Sequence, residues 1–73
     1  MPKKLPSLKP RIVIRALERG GFYVHHVTGG HYILKKGGLR VTVPYHGRDL
    51  KPRTLASIVE QSGMTAEEFL DLL

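Results

Sequence analysis

The chain has 73 residues, no cysteine, and twelve Lys and Arg against six Asp and Glu, a formal net charge of +6 with its four histidines neutral. That length is read as a single domain over residues 1–73 with a small core, and the missing cysteine excludes a disulfide scaffold, a thiolate metal site and a thiol nucleophile. No apolar run approaches the roughly 20 residues that span a bilayer, and the basic start MPKKLPSLKP lacks the apolar segment of a signal peptide. A cytoplasmic protein with no membrane role is therefore expected.

Residues 1–9 read as a loose basic N-terminal arm with two prolines. Lys9-Pro10 then opens a helix, because the N–H that proline lacks has no partner in a first turn anyway. Ile12, Val13, Ala16 and Leu17 share one helical face, and Arg11, Arg15 and Arg19 share the other. Gly20-Gly21 ends the helix. Phe22 to Val27 is aromatic and β-branched and predicts a strand. In that strand His25 and His26 are expected on opposite faces. Thr28-Gly29-Gly30 turns the chain into a second strand, His31 to Lys36. Its two faces, His31/Ile33/Lys35 and Tyr32/Leu34/Lys36, are nearly equal in polarity, so alternation does not say which is buried.

Gly37-Gly38 signals a tight hairpin. Leu39, Val41 and Val43 alternate with polar residues in a third strand, which Pro44 is expected to stop. Tyr45 to Lys51 reads as a loop. Lys51-Pro52 repeats the helix-opening device, with Leu55, Ile58, Val59 and Ser62 on one face and Gly63 at the end. Thr65-Ala66-Glu67-Glu68 has the form of a capping box. It starts a short last helix with Phe69, Leu72 and Leu73 as its apolar stripe.

This order predicts an α+β fold: a helix, a three-stranded antiparallel sheet, a helix, and a short C-terminal helix. Both longer helices must cover one face of the sheet, leaving the other for solvent or a ligand. The outline is like that of a double-stranded-RNA-binding domain. Charge points the same way. All twelve bases lie between Lys3 and Arg53, where Glu18 and Asp49 are the only acids, a local charge of +10; residues 54–73 carry four acids and no base. Such segregation suggests a polyanionic partner, with nucleic acid foremost.

Several short pieces occur in a set order: Gly21-Phe22 after the first helix, Gly30-His31 at the start of the second strand, and VTVPYH over 41–46. LKPRTL follows over 50–55, QSGMT over 61–65, and Glu68-Phe69 comes last. Taken together, from about Pro10 to Leu73, they resemble the HicA toxins of bacterial toxin–antitoxin pairs. The resemblance implies a type II toxin acting as an mRNA interferase on single-stranded RNA, and a HicB-type antitoxin covering the active site. It also implies a free protein that is monomeric and a hetero-oligomer with the antitoxin. The family's catalytic histidine follows Gly-Ser; by position it is His31. Gly30 stands here in place of that serine, and Arg53 where glycine is common before Thr54. The first departure puts full activity in question.

RNA carries its own nucleophile, the 2′-hydroxyl. Cleavage then needs a base for that proton, an acid for the leaving 5′-oxygen, and positive charge beside the phosphate. Imidazole suits the proton steps. The candidates are His31 as acid/base and His46 as second choice. Lys35, Lys36, Arg40, Arg15, Arg19, Gly29, Gly30 and Tyr32 are candidates for RNA contact. The scheme calls for no metal and no cofactor, and the four histidines match no common metal-ligand spacing. The same residues admit other readings. His31 is otherwise an inert strand-edge histidine and His46 a loop histidine bonded to a carbonyl. Tyr23 is expected at the core or its rim. The whole chain is alternatively a non-catalytic RNA-binding module, or a basic face for an acidic protein.

Overall fold

The computed structural model describes residues 5–73, so Lys3 and Lys4 of the basic arm lie outside the described residues. Helix α1 spans Pro10–Arg19, strands β1, β2 and β3 span Tyr23–Val27, His31–Lys36 and Leu39–Pro44, and helices α2 and α3 span Pro52–Gln61 and Ala66–Leu70. The strands form one antiparallel sheet in the order β1-β2-β3. This is the expected α+β order.

Helix α1 begins at extended Lys9 with Pro10 in its first turn. It ends in a Schellman motif: Phe22 N–H donates to the Leu17 carbonyl and Gly21 N–H to that of Glu18, each at 3.0 Å. Gly21 takes the left-handed position at φ +98°, while Gly20 stays at φ −81°. Backbone conformation calls for glycine at the first; at the second the constraint is space, since a Cβ would stand 3.0 Å from Leu72 Cδ1 and 3.3 Å from the Leu17 carbonyl oxygen. The buried stripe is Val13, Ile14, Ala16 and Leu17. Ile12, expected within it, lies at its margin, 36% exposed.

Cross-strand register decides the faces. Leu34 pairs with Val41 and Tyr32 with Val43. All four belong to or pack against one core cluster with Val13, Leu17, Leu55, Ile58 and Phe69. The Tyr32/Leu34/Lys36 face of β2 therefore meets the helices, and His31/Ile33/Lys35 faces away from them. The hairpin places Lys36 opposite Leu39 with Gly37-Gly38 between. Only Gly37 has positive φ, +57°, the φ signs of a type II′ turn. Pro44 does not stop the ladder. It is the last residue of β3, opposite His31, and Tyr45 N–H extends the pairing to the Gly30 carbonyl at 2.9 Å.

The segment after Leu5 is not loose. Leu5 and Leu8 pack against the core, and Leu8 bridges to Leu50, whose N–H donates to the Leu8 carbonyl at 2.7 Å. At the other end Thr65 and Glu68 form the capping box of α3, at 3.1 Å and 2.9 Å. Phe69 is fully buried beneath it, whereas Leu73, expected in the same stripe, is 45% exposed. No helix of the described residues is long and apolar enough to cross a membrane.

Candidate nucleic-acid interface

The sheet face turned away from the helices carries the candidate site. The strand register arranges it in rows. His31 stands opposite Pro44; Ile33 lies between His26 and Thr42; Lys35 lies between Tyr23 and Arg40. Every acid of the chain lies outside the three strands, so this surface is cationic without an internal counter-ion. Lys35 and Arg40 are directly opposed like charges, an arrangement that costs stability unless an anion sits between them.

His31 opens β2 and is exposed. Its backbone is held by Thr28, whose hydroxyl accepts the His31 N–H at 3.0 Å and whose own N–H donates to the His31 carbonyl at 2.9 Å. The Gly30 N–H also points toward the Thr28 hydroxyl, at 3.4 Å, and the Gly30 carbonyl accepts from Tyr45. The turn thus directs the amides of Gly30 and His31 at threonine rather than at an incoming phosphate. Gly29 and Gly30 are exposed, neither has positive φ, and a Cβ at either would meet nothing within 4 Å.

Lys35 shares the open face with His31 but sits four residues along the strand, roughly 13–14 Å away at strand rise. One small anion could not touch both side chains at that spacing. Arg40 joins Lys35 there. The other candidates are not brought to this face. Lys36 turns toward the helices, donates to the Gly20 carbonyl at 2.7 Å and lies over the Phe22 ring. Arg15 and Arg19 are exposed on α1, across the sheet from His31, and Arg19 donates to the Leu72 carbonyl at 2.8 Å. Tyr32 is half-buried on the helix side, its ring stacked on Tyr45 at 4.6 Å.

His46 lies at the same end of the sheet as His31, two residues beyond Pro44. Its Nδ1 accepts the Arg48 N–H at 3.2 Å, and the residue is exposed. Nδ1, acting as an acceptor, is not donating to a carbonyl. With Arg48, Lys51 and Thr54 it lines an open cleft of about 850 Å³ at the start of α2; His31 lies outside this cleft. Among the described residues no group of three or more His, Asp or Glu is placed to hold a metal ion.

Two residues of the open face are not among the candidates expected from the sequence. A β-bulge between Val24 and His26 sets two β1 steps against one of β2, so that His26 pairs with Ile33. Both His25 and His26 are exposed, and the bulge breaks the alternation on which their placement on opposite faces rests. Tyr23, expected at the core or its rim, is 56% exposed on the open face, edge-on to the His25 ring. Alternation carries no mark of a bulge, so no sequence signal identifies His26; Tyr23 precedes the bulge, and its alternation with Phe22 and Val24, which belong to or pack against the core, is the signal that places it on the open face.

Comparison with known proteins extends this geometry. A comparison with curated proteins returns no match. The family model described as the HicA toxin of bacterial toxin–antitoxin systems matches residues 10–64, from the first turn of α1 through the whole sheet to the end of α2. The chain therefore belongs to the HicA toxin family of bacterial toxin–antitoxin systems.

Proposed function

We propose that this toxin is an endoribonuclease that cleaves single-stranded mRNA in the cytoplasm without a metal ion, with His31 as the proton-transferring group. The observation that carries the reading is the placement of His31: exposed, backbone-anchored by Thr28, on a sheet face with bases and no acids. The RNA strand lies across that face. His31 handles a proton at one linkage, a contribution of about 10²–10⁴-fold for general acid–base catalysis. Lys35 and Arg40 neutralise the phosphate further along, where the pair's mutual repulsion becomes attraction for an anion. His46, on its cleft at the same end, contacts RNA beyond the reacting linkage.

The family implies a HicB-type antitoxin as partner. In our reading it covers His31 and presents acidic groups to the +10 segment, since complementary fields speed association and reject wrong partners. The free toxin is a monomer and the inhibited form a hetero-oligomer.

A second reading, RNA binding without cleavage, is favoured by Gly30 and by the engaged amides of its turn. One experiment separates the two. The purified chain is incubated with a long single-stranded RNA in excess chelator. Cleavage that persists and is lost in His31→Ala supports the enzyme. Salt-steep binding that leaves the RNA whole supports the module.

A further inference from the structure

We propose that His26 is the second proton-transfer group of the site, acting with His31 on one phosphodiester across the β1–β2 ladder. The inference rests on the ribonuclease reading above and deepens it. In a regular strand His26 would turn toward the helices, beside Val24. The bulge instead pairs Val24 with Leu34 on the core side and His26 with Ile33 on the open side. Bulges re-aim side chains in this way and are frequent next to active sites. His31 lies two residues from Ile33 on the same face of β2, so His26 and His31 are diagonal cross-strand neighbours. Such neighbours have Cα atoms roughly 7–8 Å apart, a span that two imidazole arms close around a single phosphate. Both rings are exposed. Ile33, 8% exposed although no helix covers this face, forms an apolar floor between them.

The pair supplies both proton steps. A neutral ring takes the 2′-hydroxyl proton as O2′ bonds to phosphorus. The P–O5′ bond breaks, and the other ring, protonated, gives its proton to the departing 5′-oxygen. The products are a 2′,3′-cyclic phosphate and a 5′-hydroxyl. The rings end with their protonation states exchanged, and solvent restores them. Among the described residues, the titratable and charged groups of the strands near His26 are Tyr23 and His25 on its own strand, His31 and Lys35 on β2, and Arg40 on β3; none is a carboxylate. Two rings of unlike protonation give a bell-shaped dependence of kcat on pH.

The test measures kcat and KM across pH 5–9 on a short RNA with one scissile linkage, for the full chain and for His26→Gln, His26→Gly and His25→Gln. The His25 ring stands edge-on to Tyr23, 6.3 Å between centroids, and His25 has no register partner on β2; it serves as the control. His26→Gln is expected to lose one limb of the bell and about 10²–10⁴-fold in kcat, with KM little changed. Free imidazole is expected to restore His26→Gly, an effect that a folding defect would not show. His25→Gln is expected to keep the wild-type profile. Three results would overturn the assignment while leaving the ribonuclease reading intact: an unaltered bell in His26→Gln, a change in KM alone, or no imidazole rescue. A wild-type chain that leaves the RNA whole overturns both.

Discussion

Gly30→Ser introduces the serine that the resemblance implies before the histidine, and its consequences follow from the turn geometry. Position 30 has no positive φ, and an added Cβ meets nothing within 4 Å. The serine therefore enters without strain. It narrows the conformations of the unfolded chain, a gain of about 0.4–1 kcal/mol for a compatible glycine replacement. At about 4–8 °C per kcal/mol for a domain of this size, the melting temperature rises by roughly 2–8 °C. Gly21→Ala is the contrast. There φ is +98° and a Cβ stands 3.1 Å from Lys36 Cε, so a loss of about 1–3 kcal/mol is expected. Thermal melts of both variants by circular dichroism check the stability side. Cleavage rates of Gly30→Ser check the chemistry. A hydroxyl donating to a phosphate oxygen contributes about 1.5–3 kcal/mol, roughly ten- to a hundredfold in rate. A Gly30→Ser melt below that of the wild type would refute the claim that nothing at this turn requires glycine.

The remaining expectations concern the histidine's anchor and the two ends of the core. Thr28→Ala removes the acceptor of the His31 N–H and is expected to lower kcat about tenfold at a stability cost of about 1 kcal/mol. Thr28→Ser, which keeps the hydroxyl, restores the rate. Phe69→Ala empties a fully buried position and costs about 3–5 kcal/mol, read as a lower urea midpoint or loss of a cooperative transition. The Glu68 carboxyl is held below its ordinary value of 4.5, first by the Thr65 backbone N–H and then by the Thr65 side chain. A depressed folded pKa means the stabilisation is present above the unfolded value and fades as pH falls through the folded one. Below about pH 4.5 the melting temperature of the wild type is thus expected to approach that of Glu68→Gln, which keeps the cap without the charge. A gap that stays constant across this window counts against the linkage.

Much of the architecture was legible because local rules act on few residues at a time. Two Lys-Pro pairs start the long helices, a glycine in the left-handed region closes the first, Thr65 and Glu68 cap the last, and Gly37-Gly38 turns the hairpin. Each is decided by backbone geometry within a single turn, so the sequence alone determined the number, type and order of elements. Helical spacing puts Ile12 and Leu73 in apolar stripes, yet both are exposed, since the edge of a stripe depends on what packs against it. The candidate site divided along the same line. His31 and its charge surroundings could be read from residue types and family resemblance, but the partners on its face could not.

Only the tertiary structure decided which face of β2 is buried. His31/Ile33/Lys35 and Tyr32/Leu34/Lys36 are matched in polarity, and it is the pairing of Leu34 and Tyr32 with Val41 and Val43 that turns the latter set to the core. That choice brings Lys35 and Arg40 onto the same face as His31, and leaves Lys36, Arg15, Arg19 and Tyr32 elsewhere. Only the tertiary structure shows the bulge that brings His26 outward, because strand periodicity assumes an unbroken register and one extra residue reverses every side chain beyond it.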